Sequence, residues 1–238
     1  MADVQLIIDG LSFEGWTSVA ITRPMDAAAG VFSLARTERR TANMEPWPIR
    51  HGDPRAVAAD GEIVTVGHVD ILSPSFGAAD HTITVQGRDR TADLVDCSAV
   101  HTPDEWADID LLTLCQKLAE PFGVKVYADD GVPLGRKFRT VKLQQGETAL
   151  EAIARHVRQR QLLVMPDAAG DLRITRTARK RAGVVLEQGV NILSASGVLD
   201  DSQRHSDYIV KGQSGYSIET TPDQEALIQA RARDPGVA

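Results

Sequence analysis

Six histidines, two cysteines and three close acidic pairs are the residues of this chain with side chains suited to catalysis or metal binding. The histidines are His51, His68, His81, His101, His156 and His205. None lies four residues from another or beside paired cysteines, so the ligand spacing of a zinc site is not offered. Asp108/Asp110, Asp129/Asp130 and Asp200/Asp201 could serve hydrolysis only by converging on one bond. Their contexts read instead as a cap, a loop and a turn, where carboxylates serve the backbone. Gly10-x-x-x-x-Gly15 lacks the Lys-Ser/Thr of a phosphate loop, Gly183 to Gly189 precedes no helix, and no Gly-x-Ser-x-Gly elbow occurs. Cys97 and Cys115 have no partners at ligand spacing and are expected as free buried thiols. His156, on an arginine-rich helix, is expected at the surface. No catalytic residue, metal or cofactor is therefore assigned, and a non-enzymatic protein is expected.

The polar residues that remain are concentrated at one junction, Gln86 to Ala99. Asp80 to Gly87 alternates polar and apolar residues, the signature of a strand with one buried face. Gly87 is expected to permit a sharp exit through a backbone conformation closed to other residues. Asp93 or Asp96 is expected to cap the turn or the short helix beginning at Leu94. Gly87, Arg88, Asp93, Leu94, Asp96 and Ser98 thus form a candidate structural motif at the end of a strand domain.

The elements that must hold this junction are mainly β. Residues 1–101 read as the first part of a β-barrel or sandwich, with alternating runs at Val19–Thr22, Val31–Ala35, Ile63–Val66, Val69–Leu72 and His81–Gln86. Asp60-Gly61 predicts a tight hairpin, Ser73-Pro74 a break, and Trp47 between two prolines a cap over the barrel end. Residues 102–177 read as a small α+β insert. Leu111, Leu112, Cys115 and Leu118 recur at helical spacing after Asp108 or Asp110, and Thr148 with Glu151 fits a capping box before a second helix. Pro166 to Gly170 predicts a hairpin turn. Residues 178–215 are expected to return as strands, around Val184–Leu186, Ile192–Ser194 and Tyr208–Gln213, that rejoin the barrel. Residues 216–238 are expected to form a terminal helix, capped by Thr221, or a linker.

Composition fits a soluble globular protein: 238 residues, 42% hydrophobic and 25% charged. No apolar run approaches the roughly 20 residues of a membrane-spanning helix. A net charge of −7 argues against a general nucleic-acid binder. Basic residues nevertheless outnumber acidic ones from Arg136 to Arg181, and Arg155, Arg158, Arg160, Arg176 and Arg179 are candidates for a partner-facing surface.

The run Gly87-Arg88-Asp89-Arg90-Thr91-Ala92-Asp93-Leu94-Val95-Asp96-Cys97-Ser98 resembles the barrel exit of the baseplate hub proteins of Mu-like contractile phage tails, the tail protein P family. Phe13-Glu14-Gly15-Trp16, Gly67-His68-Val69-Asp70, Leu143 to Thr148 and Ser206 to Gln213 follow in the family's order. A more distant similarity reaches the hub portions of contractile injection system spikes. The resemblance implies a homotrimer whose barrels form a ring joining the tail tube, or a tube initiator, to the central spike protein among other baseplate proteins. It places the protein in the virion tail baseplate, and in the host cytoplasm during assembly. It also implies a second barrel beyond this chain, making the chain an N-terminal fragment. One rival reading remains, a peptidoglycan-binding or cell-wall-degrading tail module. Gln145-Gly146-Glu147-Thr148 is similar to the opening of LysM modules, although a capped helix in an unrelated fold explains the same residues.

Overall fold

Two two-residue turns set up the first sheet. Asp9-Gly10 and Asp60-Gly61 hold positive φ throughout (49° and 78°, 50° and 82°), the backbone that lets a tight hairpin follow the right-handed twist of its strands. The first turn joins β1 (Val4–Ile8) to β2 (Leu11–Phe13), and the second joins β5 (Pro54–Ala59) to β6 (Glu62–Phe76). With β3 (Ser18–Thr22), β4 (Val31–Thr37) and β7 (His81–Asp89) they make one antiparallel sheet of seven strands, in the order β2-β1-β5-β6-β7-β4-β3. The computed structural model describes residues 3–25, 28–37, 49–77, 81–177, 183–213 and 227–236. Trp47 lies outside them.

The strand order forces a curl. β2 and β3 are the opposite edges of the sheet, about 29 Å apart if it were flat. Only Glu14 to Thr17 connect them, a link that reaches at most about 18 Å. The sheet therefore rolls around Leu6, Phe32, Leu34, Val57, Val69 and Val85 as its core. Among the described residues β2 and β3 do not pair, so the sheet rolls without forming the closed barrel expected. The link residues are held elsewhere, with Thr17 N–H donating to Ala35 O at 2.8 Å and Trp16 Nε1 to Phe13 O at 3.1 Å.

Two further expectations change here. β6 is a single strand of 15 residues running through Ser73-Pro74, which was read as a break. Past His68 it has no β5 partner, and a proline is tolerated where one side of a strand is open. β5 was not anticipated, because a Gly-Asp-Pro loop and three alanines hide its alternation.

The α+β part contains α1 (Ala92–Asp96), β8 (Glu105–Ile109), α2 (Leu111–Ala119), β9 (Val126–Ala128), β10 (Phe138–Lys142), α3 (Ala149–Arg158), β11 (Leu163–Pro166) and β12 (Leu172–Thr175). Asp110 is the α2 cap, accepting from Thr113 N–H at 2.9 Å. Thr148 and Glu151 form both bonds of the capping box at α3, at 3.2 and 2.8 Å. β11 and β12 form the expected hairpin, β9 joins β12 in parallel, and β8 pairs with β10. Leu94, Leu111, Leu114, Ile153, Leu172 and Ile174 are the centre of this core, each no more than 1% exposed. Since Leu94 sits in α1, the two cores divide near Arg90, ahead of the change of periodicity at Thr102.

His156 is buried, contrary to the surface position expected. Its Nδ1–H donates to Ala152 O at 2.8 Å and its ring meets Phe138 edge-on at 5.2 Å. Burial pushes the imidazole below its ordinary value. Cys115 is buried as expected, and desolvation pushes its thiol up to about 12. Cys97, also expected inside, is exposed at the end of α1.

The chain divides into two compact units, Met1–Arg181 and Ala182–Ala238. In the second, β13 (Asp207–Gln213) pairs antiparallel with β14 (Leu227–Arg233). Val184–Leu186 and Ile192–Ser194 are not strands; a turn there is held by Asn191, whose side chain accepts from Glu187 N–H and donates to Val185 O, both at 2.7 Å. Thr221 lies outside the described residues. From Leu227 the backbone is strand where a helix or linker is expected, since helix-favouring residues give only a weak preference that a paired neighbour overrides. Arg231 pairs with Asp207 across this hairpin at 2.9 Å.

Candidate functional site

The alternation of β7 turns Gly87 and Asp89 inward and Arg88 outward. All three act at the junction, by different means. Gly87 does not have a positive φ, so the expected special backbone is absent. What it needs is the absence of a side chain: a Cβ there would meet His68 O and stand 2.5 Å from Phe32 Cε1. Gly67, paired with Asp89 across β6 and β7, is held likewise, since its Cβ would meet Arg88 O and lie 2.5 Å from Asp89 Cα.

These close approaches bring Asp89 under the β3–β4 connection. One carboxylate oxygen accepts from Gly30 N–H at 2.6 Å; the other accepts from Thr91 N–H at 3.0 Å and from the Thr91 hydroxyl at 2.5 Å. Thr91 Oγ1 in turn accepts from Ala29 N–H at 2.9 Å. The buried cation nearby is Arg55, 3% exposed, lying 3.8 Å over the Phe32 ring and donating from Nη2 to Arg88 O at 2.7 Å. Burial pulls its guanidinium down to about 10, opposed by the charges of Asp89 and Asp70. It remains a cation at neutral pH, so those carboxylates compensate a buried charge.

On the outer face Arg88 bridges Asp70 of β6 at 2.8 Å and Asp96 of α1 at 2.7 Å. The hydrogen bonds it donates to these carboxylates, Asp96 first, raise the guanidinium above its ordinary value. The same bond lowers Asp96. Asp96 is thus an ion-pair partner, not a cap. Asp93 is no cap either: α1 begins at Thr91 with no side-chain cap bond, and Asp93 is exposed. Replacing Asp93 by alanine should change the unfolding free energy by less than about 0.5 kcal/mol, as for an ordinary surface site. A chemical denaturation curve showing a loss of 1 kcal/mol or more would restore it as a cap.

The junction then fastens the two cores to each other. Leu94 enters the α+β core, Ser98 forms a bridge with Thr148, and Ala149 N–H donates to Cys97 O at 3.1 Å. Arg90 reaches the β11–β12 turn, pairing with Asp171 at 2.7 Å and Ala169 O at 3.0 Å. In that turn Gly170, φ 76°, sits so close to β6 that a Cβ would lie 2.6 Å from Val66 O. Arg23 donates to Pro166 O at 3.3 Å. Chemically, this arrangement fixes one body against the other.

Two of the five arginines expected at a partner-facing surface are engaged within the α+β body. Arg155 is tied to the buried Glu147, at 2.8 and 3.0 Å, and Arg160 stacks 4.5 Å over Phe138. Arg158 and Arg176 are exposed, and Arg179 lies outside the described residues. In the LysM-like tetrapeptide, Glu147 faces Arg155 and accepts from Gln144 N–H at 2.6 Å, while Thr148 caps α3. Its polar groups serve the turn and helix.

Arg55 and Asp89 were not singled out from the sequence. The usable signal was phase: Asp89 is two residues from the inward Gly87, and Arg55 is two from Val57.

Comparison with known proteins matches these two bodies separately. Residues 3–89 match the family model of the Mu phage baseplate assembly protein GpP-like N-terminal domain, and residues 91–176 that of the baseplate hub protein gp44-like second domain. The baseplate hub protein gp44 of Escherichia phage Mu is 35% identical over 214 residues; these cover 88% of this chain, which spans 55% of that relative's length. The 43 kDa tail protein of prophage MuSo2 from Shewanella oneidensis superimposes with a TM-score of 0.87 at 33% identity, over 100% of this chain and 70% of that one. A tail protein from Neisseria meningitidis MC58 shares the fold, with a TM-score of 0.79 at 19% identity over 98% and 68% of the two chains. With a solved relative above 30% identity matched over more than two thirds of its length, and both family models meeting at the Asp89–Thr91 junction, the chain belongs to the Mu-like phage baseplate hub protein family.

Proposed function

We propose that this chain acts as a structural subunit of the hub of a contractile tail, forming a three-fold ring that joins the tail tube to the central spike. Its partners are then other copies of itself, the spike protein, the tube or its initiator, and neighbouring baseplate proteins. Its place is the tail baseplate of the virion, after assembly in the host cytoplasm. Its work is geometric positioning and includes no catalytic turnover. The observation that carries this reading is the likeness over the whole chain to the MuSo2 tail protein. The junction supports it physically: a ring bearing load between two other assemblies needs its bodies held rigidly, and Arg88, Arg90, Leu94 and Gly170 supply four separate restraints between sheet and α+β body.

The test is genetic and structural. Deleting the coding sequence from the phage or prophage that carries it should leave tubes and spikes unjoined, and a reconstruction of intact tails should place three copies around the axis between them. Tails that assemble and retain their spike without this protein would overturn the proposal.

A further inference from the structure

β9 leaves one side of its sheet without a partner. It stands at the edge of the order β11-β12-β9, with no strand beyond it among the described residues. Its odd-numbered residues turn toward β12, where Lys125 O accepts from Leu172 N–H at 2.8 Å and Asp129 N–H donates to Ile174 O at 3.0 Å. Val126, in the opposite phase, therefore aims its backbone N–H and C=O away from β12. Gln116 Nε2 of α2 donates to that C=O at 3.0 Å, so an exposed side chain stands where the N–H of a further strand would stand. An edge guarded by one movable side chain is open to strand addition.

Between α2 and this edge runs a groove of about 690 Å³, inside the range of about 300–1,000 Å³ typical of binding clefts. The buried Val124 and Val126 line it beside the exposed Lys125 and Tyr127. Lys117 of α2 and Lys125 both stand on the groove, and neither forms an ion pair among the described residues. Asp171, also on it, is already held by Arg90 at 2.7 Å, which leaves two unpaired cations against Glu120 alone. We infer that this groove takes an extended segment of a partner protein, in which acidic and apolar residues alternate, as a further strand beside β9. The segment displaces the Gln116 side chain and gives Val126 O a backbone donor in its place. Strand alternation fixes the rest of its chemistry. One set of its side chains enters the groove over Val124 and Val126 and is apolar. The other lies on the outer face beside Lys125 and Tyr127 and is acidic, because opposite charges across neighbouring strands attract. Lys117 adds to that attraction from the α2 side.

Fluorescence polarisation of the full chain with a labelled, end-capped peptide alternating glutamate and valine tests this. The peptide should bind saturably, and its lysine–valine counterpart should not. Lys117→Glu together with Lys125→Glu should weaken binding by at least about tenfold, since each reversed charge then opposes the ligand. Gln116→Ala should tighten it about fivefold, because the peptide no longer displaces a hydrogen bond to Val126 O. Both variants should melt with the parent, as the substituted side chains lie outside the buried core. Three results would each overturn the groove. Failure of the glutamate–valine peptide to bind removes the ligand class, and binding that Gln116→Ala leaves unchanged removes the strand pairing. Equally tight binding of an all-glutamate peptide or a single-stranded oligonucleotide leaves only the attraction of lysines for any anion. Because the groove lies within the α+β body, none of these results touches the hub reading.

Discussion

Asp89→Ala should destabilise the first unit by about 3–5 kcal/mol, the range for breaking a buried charge arrangement by removing one member. Three donors lose their acceptor at once: the N–H groups of Gly30 and Thr91 and the Thr91 hydroxyl. An unsatisfied buried donor costs about 1–3 kcal/mol by itself. Arg55, 3% exposed, loses one of the two carboxylates whose charge offsets its desolvation. Asp89→Asn keeps one acceptor oxygen and the volume but removes the charge, so it should fall between wild type and alanine. Urea unfolding followed by tryptophan fluorescence ranks the three proteins. If Asp89→Ala unfolded within 1 kcal/mol of wild type, the carboxylate would not be organising the exit of the sheet. Asp93→Ala, four residues away, is the matched control. The contrast separates an inward carboxylate from a solvent-facing one in the same motif.

Gly87→Ala should be nearly as damaging, at about 3 kcal/mol, the upper end for forcing a group into a filled core. The added methyl meets a backbone carbonyl, His68 O, on one side and the Phe32 ring on the other. Neither is the loose end of a flexible side chain, and Phe32 is itself fixed beneath Arg55. Gly123→Ala offers a comparison of another kind. Gly123 has φ 66° and open space around its Cβ position, so alanine there meets only backbone strain, about 1 kcal/mol. Melting temperatures that fell equally for both variants would mean that packing at Gly87 is no more demanding than an ordinary turn.

Much of this fold was legible because its signals are local. Asp60-Gly61, the Thr148–Glu151 capping box, Asp110 before α2 and the Pro166–Gly170 turn each act within about four residues, and each is where the residue types place it. The alternation of Ile83, Val85 and Gly87 likewise fixed which face of β7 is buried. The junction was legible as a place but not as a mechanism. Asp93 and Asp96 were chosen as caps by their nearness to Leu94, whereas the carboxylate that holds the turn is Asp89. Its partner Gly30 is 59 positions away, a distance no local pattern spans.

The sequence by itself therefore determined the strand and helix inventory near each cap and turn, the inward phase of β7, and the family to which the chain belongs. Only the tertiary structure decided that β2 and β3 do not pair among the described residues, that Arg55 lies inside the sheet above Phe32, and that Arg231 stands in a strand from which its side chain reaches Asp207 on the neighbouring strand. The physical reason is range. Caps, turns and periodicity are set by neighbours along the chain, while edge closure, burial of a charge and the choice between helix and strand in a weakly biased segment depend on which distant backbone arrives alongside.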